Sequence, residues 1–164
     1  MLVGMGPVSD ADCSIARSLS VVGEKWTLLV LREAFNGVHR FADFQSRLAV
    51  PRAVLTQRLN TLVDAGLMKR VPYRDPGDRI RQEYRLTRMG VELYPALVAL
   101  LRWGDKWLAD NPAAPPVRLE HAGCGRPVDV ALVCDAAHVI DGAWQIRAVP
   151  TPDPAASSPH ERSA

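Results

Sequence analysis

From residue 13 to residue 65 the apolar positions recur every three or four residues, the spacing of one face of an α-helix. Cys13 to Val22 reads as a short helix with Ile15, Leu19 and Val22 on one side. GEKWTLLVLREAF follows with Trp26, Leu29, Val30, Ala34 and Phe35 at helical spacing, and Asn36-Gly37 supplies its stop. Phe41, Phe44 and Leu48 form the stripe of a third helix that breaks near Ala49-Val50. Pro51 suits the first position of a fourth, because its missing N–H has no partner to lose there. In that fourth helix, Pro51 to Ala65, Leu55, Leu59, Leu62 and Val63 face inward, while Arg52, Ala53, Thr56, Gln57 and Asn60 share the outer face.

Gly66 ends the helical period, and Leu67 to Tyr73 reads as a strand. Arg74-Asp75-Pro76-Gly77-Asp78 carries turn residues, and Ile80 to Leu86 reads as the returning strand. Its alternation sets Ile80, Gln82, Tyr84 and Leu86 on one face and Arg79, Arg81, Glu83 and Arg85 on the other, a half-buried hairpin with a basic outer face. Thr87 is the predicted cap of a long helix to about Asp110, with Pro95 inside it as a kink. From Leu97 to Leu108 that helix is apolar over too wide an arc for one core, so a second copy of the chain is expected to cover it.

Beyond it lies a proline-rich linker, NPAAPPV, at 111–117. Residues 118–150 hold two β-prone runs, Val128 to Cys134 and Trp144 to Val149, and suggest a small β-rich appendage. Residues 151–164 have little to bury, which predicts a disordered tail. The expected organisation is thus a principal domain over 1–111, a linker, an appendage and a tail, with no internal repeat.

Composition narrows the class: 48% hydrophobic and 23% charged residues over 164 positions exclude disorder throughout and suit one domain plus an extension. MLVGMGPVSDADC has no basic segment ahead of an apolar core, and the apolar runs are far shorter than a membrane span. A cytoplasmic location and no membrane partner are expected. The net charge of +2 is indifferent to a polyanion until it is divided. Residues 40–88 carry 11 basic and 5 acidic side chains, an excess of +6, whereas residues 111–164 carry 4 and 6, a balance of −2.

Two short helices joined by a tight break, the second with a polar outer face, and then a turn-bearing hairpin describe a winged helix-turn-helix. The fold class is α+β, mainly α, with a long C-terminal dimerisation helix. Across Cys13 to Asp110, CSIARSLSVVGEKWTLLVLREAF, RFADFQSRL, VPRAVLTQRLNTLVDAGLMKRVPY and YRLTRMGVELYPALVALLRWGDKW occur in an order and spacing that resemble the HxlR family of bacterial transcriptional regulators. The resemblance implies a dimeric winged helix related to the MarR group, paired through its first and last helices, with double-stranded operator DNA as partner. It makes Pro51 to Ala65 the recognition helix, with Arg52, Ala53, Thr56, Gln57 and Asn60 toward base edges; Arg and Gln can make the bidentate contacts that guanine and adenine offer. Arg58 lies beside that face as a phosphate contact or an internal salt bridge. On the wing, Arg74, Arg79 and Arg81 would meet phosphates or the minor groove. The implied function is repression of a promoter, relieved by a small-molecule or redox signal.

Three cysteines cannot all pair within one chain. Cys13 sits near a helix start, where the dipole favours thiolate; relatives use a cysteine here as a redox sensor, while Asp10 and Asp12 oppose the thiolate and a small buried hydrophobe is the plainer reading. His121, Cys124, Cys134 and His138 have donor chemistry at zinc-like spacing, and longer relatives carry a ribbon there. Here Asp135, Ala136 and Ala137 follow Cys134, so the second pair lacks a cysteine, and a degenerate, metal-free ribbon is expected ahead of a zinc site. Trp26, Trp103 and Trp107 could line a pocket for a planar aromatic effector or be plain core. Two rival classes remain: an adaptor that dimerises without binding DNA, and an enzyme built on Cys124 or Cys134 with His121 or His138, for which the appendage offers little scaffold.

Overall fold

A computed structural model of the chain describes residues 12–77 and 79–149. The described residues fall into two compact units that divide between Val130 and Ala131, so the boundary lies beyond the proline-rich segment rather than within it. The expected tail at 151–164 lies outside the described residues.

The first unit is built from α1 (Ser14–Val22), α2 (Lys25–Phe35), α3 (Phe41–Leu48), α4 (Arg52–Asp64), β1 (Met68–Tyr73), β2 (Arg81–Leu86), α5 (Arg88–Val91) and α6 (Tyr94–Trp107). Its centre is formed by Val30, Leu31, Phe44, Leu55, Leu59 and Leu62, which are almost inaccessible, with Leu67 and Met68 closing the base of the hairpin; on the α1 face Val22 is buried whereas Ile15 and Leu19 are exposed. Each such buried side chain contributes on the order of 2 kcal/mol of transfer free energy. α2 lies at the centre, against α1, α3, α4 and α6. Its core includes Leu31 and Thr27, which the spacing did not single out, while Trp26, Leu29 and Phe35 are only half-buried.

The break between α3 and α4 turns on Ala49, whose φ of +48° lies in the left-handed region, followed by buried Val50. Pro51 stands one position earlier than expected: with ψ of 139° it caps α4 instead of beginning it. Gly66, at φ +77°, turns the chain out of α4 and into β1. β1 and β2 pair antiparallel from Met68↔Leu86 to Tyr73↔Arg81. Tyr84 donates its N–H to the His39 carbonyl (2.8 Å), so the segment before α3 joins the edge of the hairpin. Ile80 falls outside β2 and is 65% exposed, a departure from its expected inward face.

The expected long helix from Thr87 to Asp110 is two helices. Thr87 does cap the first, accepting a hydrogen bond from the Gly90 N–H (3.2 Å) and donating to the Gly66 carbonyl (2.6 Å). α5 lasts one turn, and Pro95 has no N–H with which to continue its hydrogen-bond ladder. Pro95 therefore lies in the first turn of α6, where an absent donor costs nothing. Val98 is the buried residue of α6; Leu100, Trp103, Trp107 and Leu108 are exposed.

Residues 117–130 return to the first unit: Val128 donates to the Leu119 carbonyl (2.8 Å), and Arg102 donates to the Val128 carbonyl and pairs with Asp129 at 3.5 Å. The second unit has β3 (Leu132–Val133) paired with β4 (Val139–Ile140), then a 3₁₀ turn at Ala143–Gln145. Its strands are shorter than the β-prone runs, and Trp144 lies in the turn rather than in a strand. Two two-residue strands expose nearly all their side chains and bury no core of their own.

Candidate nucleic-acid interface

α4 is amphipathic in the way a groove-reading helix requires. Leu55, Leu59 and Leu62 anchor one side completely, so Arg52, Ala53, Thr56 and Gln57 are held out on the other, all exposed. The Arg52 guanidinium lies over the Phe41 ring at 4.9 Å, which ties the first turn of α4 to α3 and limits the rotamers of that arginine. Thr56 donates its hydroxyl to the Arg52 carbonyl (2.9 Å), leaving its methyl group outward.

Asn60, expected toward base edges, and Arg58, expected beside that face as a phosphate contact or an internal salt bridge, both have partners within the protein. Asn60 is half-buried, and its Oδ1 accepts from Arg70 Nη2 of β1 at 2.6 Å. Arg58 is half-buried and donates from Nη2 to Gln57 Oε1 (3.3 Å), and no ion pair of Arg58 is found among the described residues. Gln57 thus presents its amide N–H₂ outward while its carbonyl oxygen is held.

On the wing, Arg74, Arg79 and Arg81 are all exposed. Arg40, just ahead of α3, forks onto the loop carboxylate: Nη1 to Asp75 Oδ2 is 3.0 Å and Nη2 to Oδ1 is 2.9 Å, with the guanidinium 4.4 Å over the Tyr73 ring. Hydrogen bonding to Asp75 raises the Arg40 pKa above its already high ordinary value, and the carboxylate charge adds to the shift. Arg85 pairs with Glu83 at 2.8 Å. Beneath this surface the buried Glu33 carboxylate is shared by Arg32 (2.7 Å) and Arg47 (3.5 Å), joining α2 to α3. Sequence reasoning missed Arg40, Arg70 and Phe41. Their partners are 35, 10 and 11 residues away, and no local pattern announces them.

A bundle whose α3–turn–α4 pair presents a polar helix face beside a basic antiparallel hairpin is a winged helix-turn-helix. The HxlR-like helix-turn-helix family model matches residues 21–112. The chain belongs to the HxlR family. It is similar to the HTH-type transcriptional regulator Rv3095 of Mycobacterium tuberculosis, 49% identical over 121 residues that make up 74% of this chain and 75% of that protein. Among solved structures it is similar to PA1607, a candidate transcription factor, with a TM-score of 0.74 and 36% identity over 84% of this chain and 94% of the other. The redox regulator HypR in its oxidized form is also similar, with a TM-score of 0.52 and 27% identity over 57% of this chain and 96% of that one. This HxlR protein is therefore a transcriptional regulator with a winged helix-turn-helix.

Cys13 is the residue before α1 and is half-buried. In the first unit His121 Nδ1 lies 3.2 Å from Cys124 Sγ, and in the second Cys134 Sγ lies 3.5 Å from His138 Nδ1. Each pair offers two donors where a closed structural zinc site takes four, and no group of three or more His, Cys, Asp or Glu is gathered among the described residues. A cavity of about 330 Å³ opens between α2 and α6, walled by Leu28, Leu29, Phe35, Tyr94 and Leu97, with Arg32 at its edge. None of Trp26, Trp103 and Trp107 lines it: Trp26 packs on the core, and Trp103 and Trp107 face outward. No helix among the described residues is long and apolar enough to cross a membrane.

Proposed function

We propose that this HxlR protein is a homodimeric, sequence-specific DNA-binding repressor that occludes a promoter and is released by a small-molecule or redox signal. The observation that carries the reading is the outer face of α4, where Arg52 and Gln57 stand exposed on a helix whose opposite side is locked by three fully buried leucines. Base edges are read from that face; phosphates are met by Arg74, Arg79 and Arg81 from the wing. An adaptor with no DNA partner has no use for either feature. The homodimer is supported by an uncovered apolar stripe: Ile15 and Leu19 on α1 and Leu100, Trp103 and Trp107 on α6 are each more than half exposed. Two signals fit separate features. The α2–α6 cavity suits an apolar, planar ligand, and Cys13 stands at the start of α1, on the dimer side, in a chain similar to a redox regulator. The Cys-His pairs are read as the remnant of a ribbon that holds no metal.

Sequencing of genomic DNA bound by the protein supplies an operator, and gel-shift titrations at two salt concentrations test the roles. Arg52→Ala and Gln57→Ala are expected to weaken operator binding selectively, each by about 1–3 kcal/mol. Arg79→Ala weakens operator and random duplex alike and lowers the salt slope by about 1. Equal losses on both duplexes from all three changes sink the assignment.

A further inference from the structure

A two-stranded hairpin has little stability of its own, and its pairing stops at Tyr73 and Arg81. The arginines that the proposed function sends to the DNA backbone are carried there. Arg74 stands between Tyr73 and Asp75, and Arg81 is the register partner of Tyr73. Both residues flanking Arg74 are gripped by one side chain from elsewhere in the chain, since Arg40 forks onto the Asp75 carboxylate and stacks on Tyr73. Arg40 is itself fixed at the hairpin edge: it bridges to Glu83 of β2 and opens α3, where its carbonyl accepts from the Phe44 N–H (3.1 Å).

We propose that Arg40 is the positioning residue of the wing: forked onto Asp75 and stacked on Tyr73, its guanidinium sets where Arg74 and Arg81 meet the DNA backbone. This rests on the DNA-binding reading above. The charge of Arg40 is cancelled by Asp75, so the pair adds nothing to the long-range attraction for phosphate, and its contribution is geometric. A planar fork is what such a task needs, because two parallel hydrogen bonds fix both distance and orientation, and a flat cation can stack while it pairs. A lysine would supply the charge without the plane.

The sign of one substitution separates this from the competing role, in which a DNA phosphate displaces Asp75 and Arg40 contacts DNA directly. Asp75→Ala removes a negative charge beside the interface, so electrostatics alone would tighten binding. If Asp75 instead holds the wing in place, the same change weakens binding to the genomically selected operator by about two- to fivefold. Arg40→Lys weakens it comparably, and Arg40→Ala/Asp75→Ala is no weaker than the worse single variant. Hydroxyl-radical footprints of both single variants lose protection where the wing lies and keep it under α4. The pair is exposed, so the melting temperature should hardly move; the exchange Arg40→Asp/Asp75→Arg serves as a second arm, expected to recover part of the affinity. Tighter binding by Asp75→Ala, or full affinity in Arg40→Lys, overturns the clamp while leaving DNA binding intact. Wild-type protein that binds no duplex at all overturns the DNA-binding reading, and the clamp with it.

Discussion

Arg70 and Asn60 are joined by a 2.6 Å hydrogen bond that runs from β1 to the outer edge of α4. It ties the wing to the helix, and it sets a guanidinium against the Asn60 carbonyl oxygen, where a base donor would have to approach. Asn60 would otherwise be the natural partner of an adenine, which needs both the donor and the acceptor of the amide. Its place on the outer face of α4 is as expected, but the residue is half-buried and its carbonyl oxygen already accepts one hydrogen bond within the protein.

Asn60→Ala and Arg70→Ala are therefore expected to weaken operator and random duplex by similar factors, and the double variant to lose less than the two losses combined. A double-mutant cycle by fluorescence anisotropy measures the coupling. Loss confined to the operator upon Asn60→Ala would return Asn60 to direct base contact.

The core beneath α4 sets the stability of the module. Leu59 and Phe44 are fully buried, so Leu59→Ala should cost about 2–5 kcal/mol and Phe44→Ala about 3–5 kcal/mol. Chemical denaturation monitored by circular dichroism reads both. A loss below about 1 kcal/mol at either position contradicts the packing described.

Gly90 admits no side chain. A Cβ there would collide with the Leu67 carbonyl, a backbone atom that cannot swing aside, and would crowd Leu86. Gly90→Ala is expected to destabilise by about 1–3 kcal/mol through displacement of α5 from the hairpin base. Thermal melting tests it, and an unchanged midpoint shows that the turn has room to yield.

The stripe on α1 and α6 predicts the oligomeric state. Trp103→Glu with Trp107→Glu should convert a dimer to a monomer in sedimentation velocity while the α-helical signal is kept, and operator affinity should fall with it. If the double variant sediments like the wild type, these tryptophans are not the contact.

Metal analysis bears on the Cys-His pairs. Protein purified without chelator is expected to carry well under one zinc per chain, since each pair supplies two of about four ligands. Stoichiometric zinc would restore the ribbon.

Local patterning was enough to place nearly every helix and both wing strands. Burial obeys the 3.6- and 2-residue periods directly, and Gly66 and the Ala49-Val50 break act over a few residues. Pro95 shows the limit of that reasoning. Its position was evident, but whether a mid-helix proline kinks a helix or separates two is not fixed by local spacing, and here α5 and α6 are distinct helices. The same holds for side chains at the interface. Which residues stand on the outer face of α4 follows from the helical period alone, because helical geometry assigns faces. Which of them are engaged depends on the packed fold, since Arg70 and Phe41 come from other elements, and hydrogen bonds and stacking between elements leave no periodic trace in the chain.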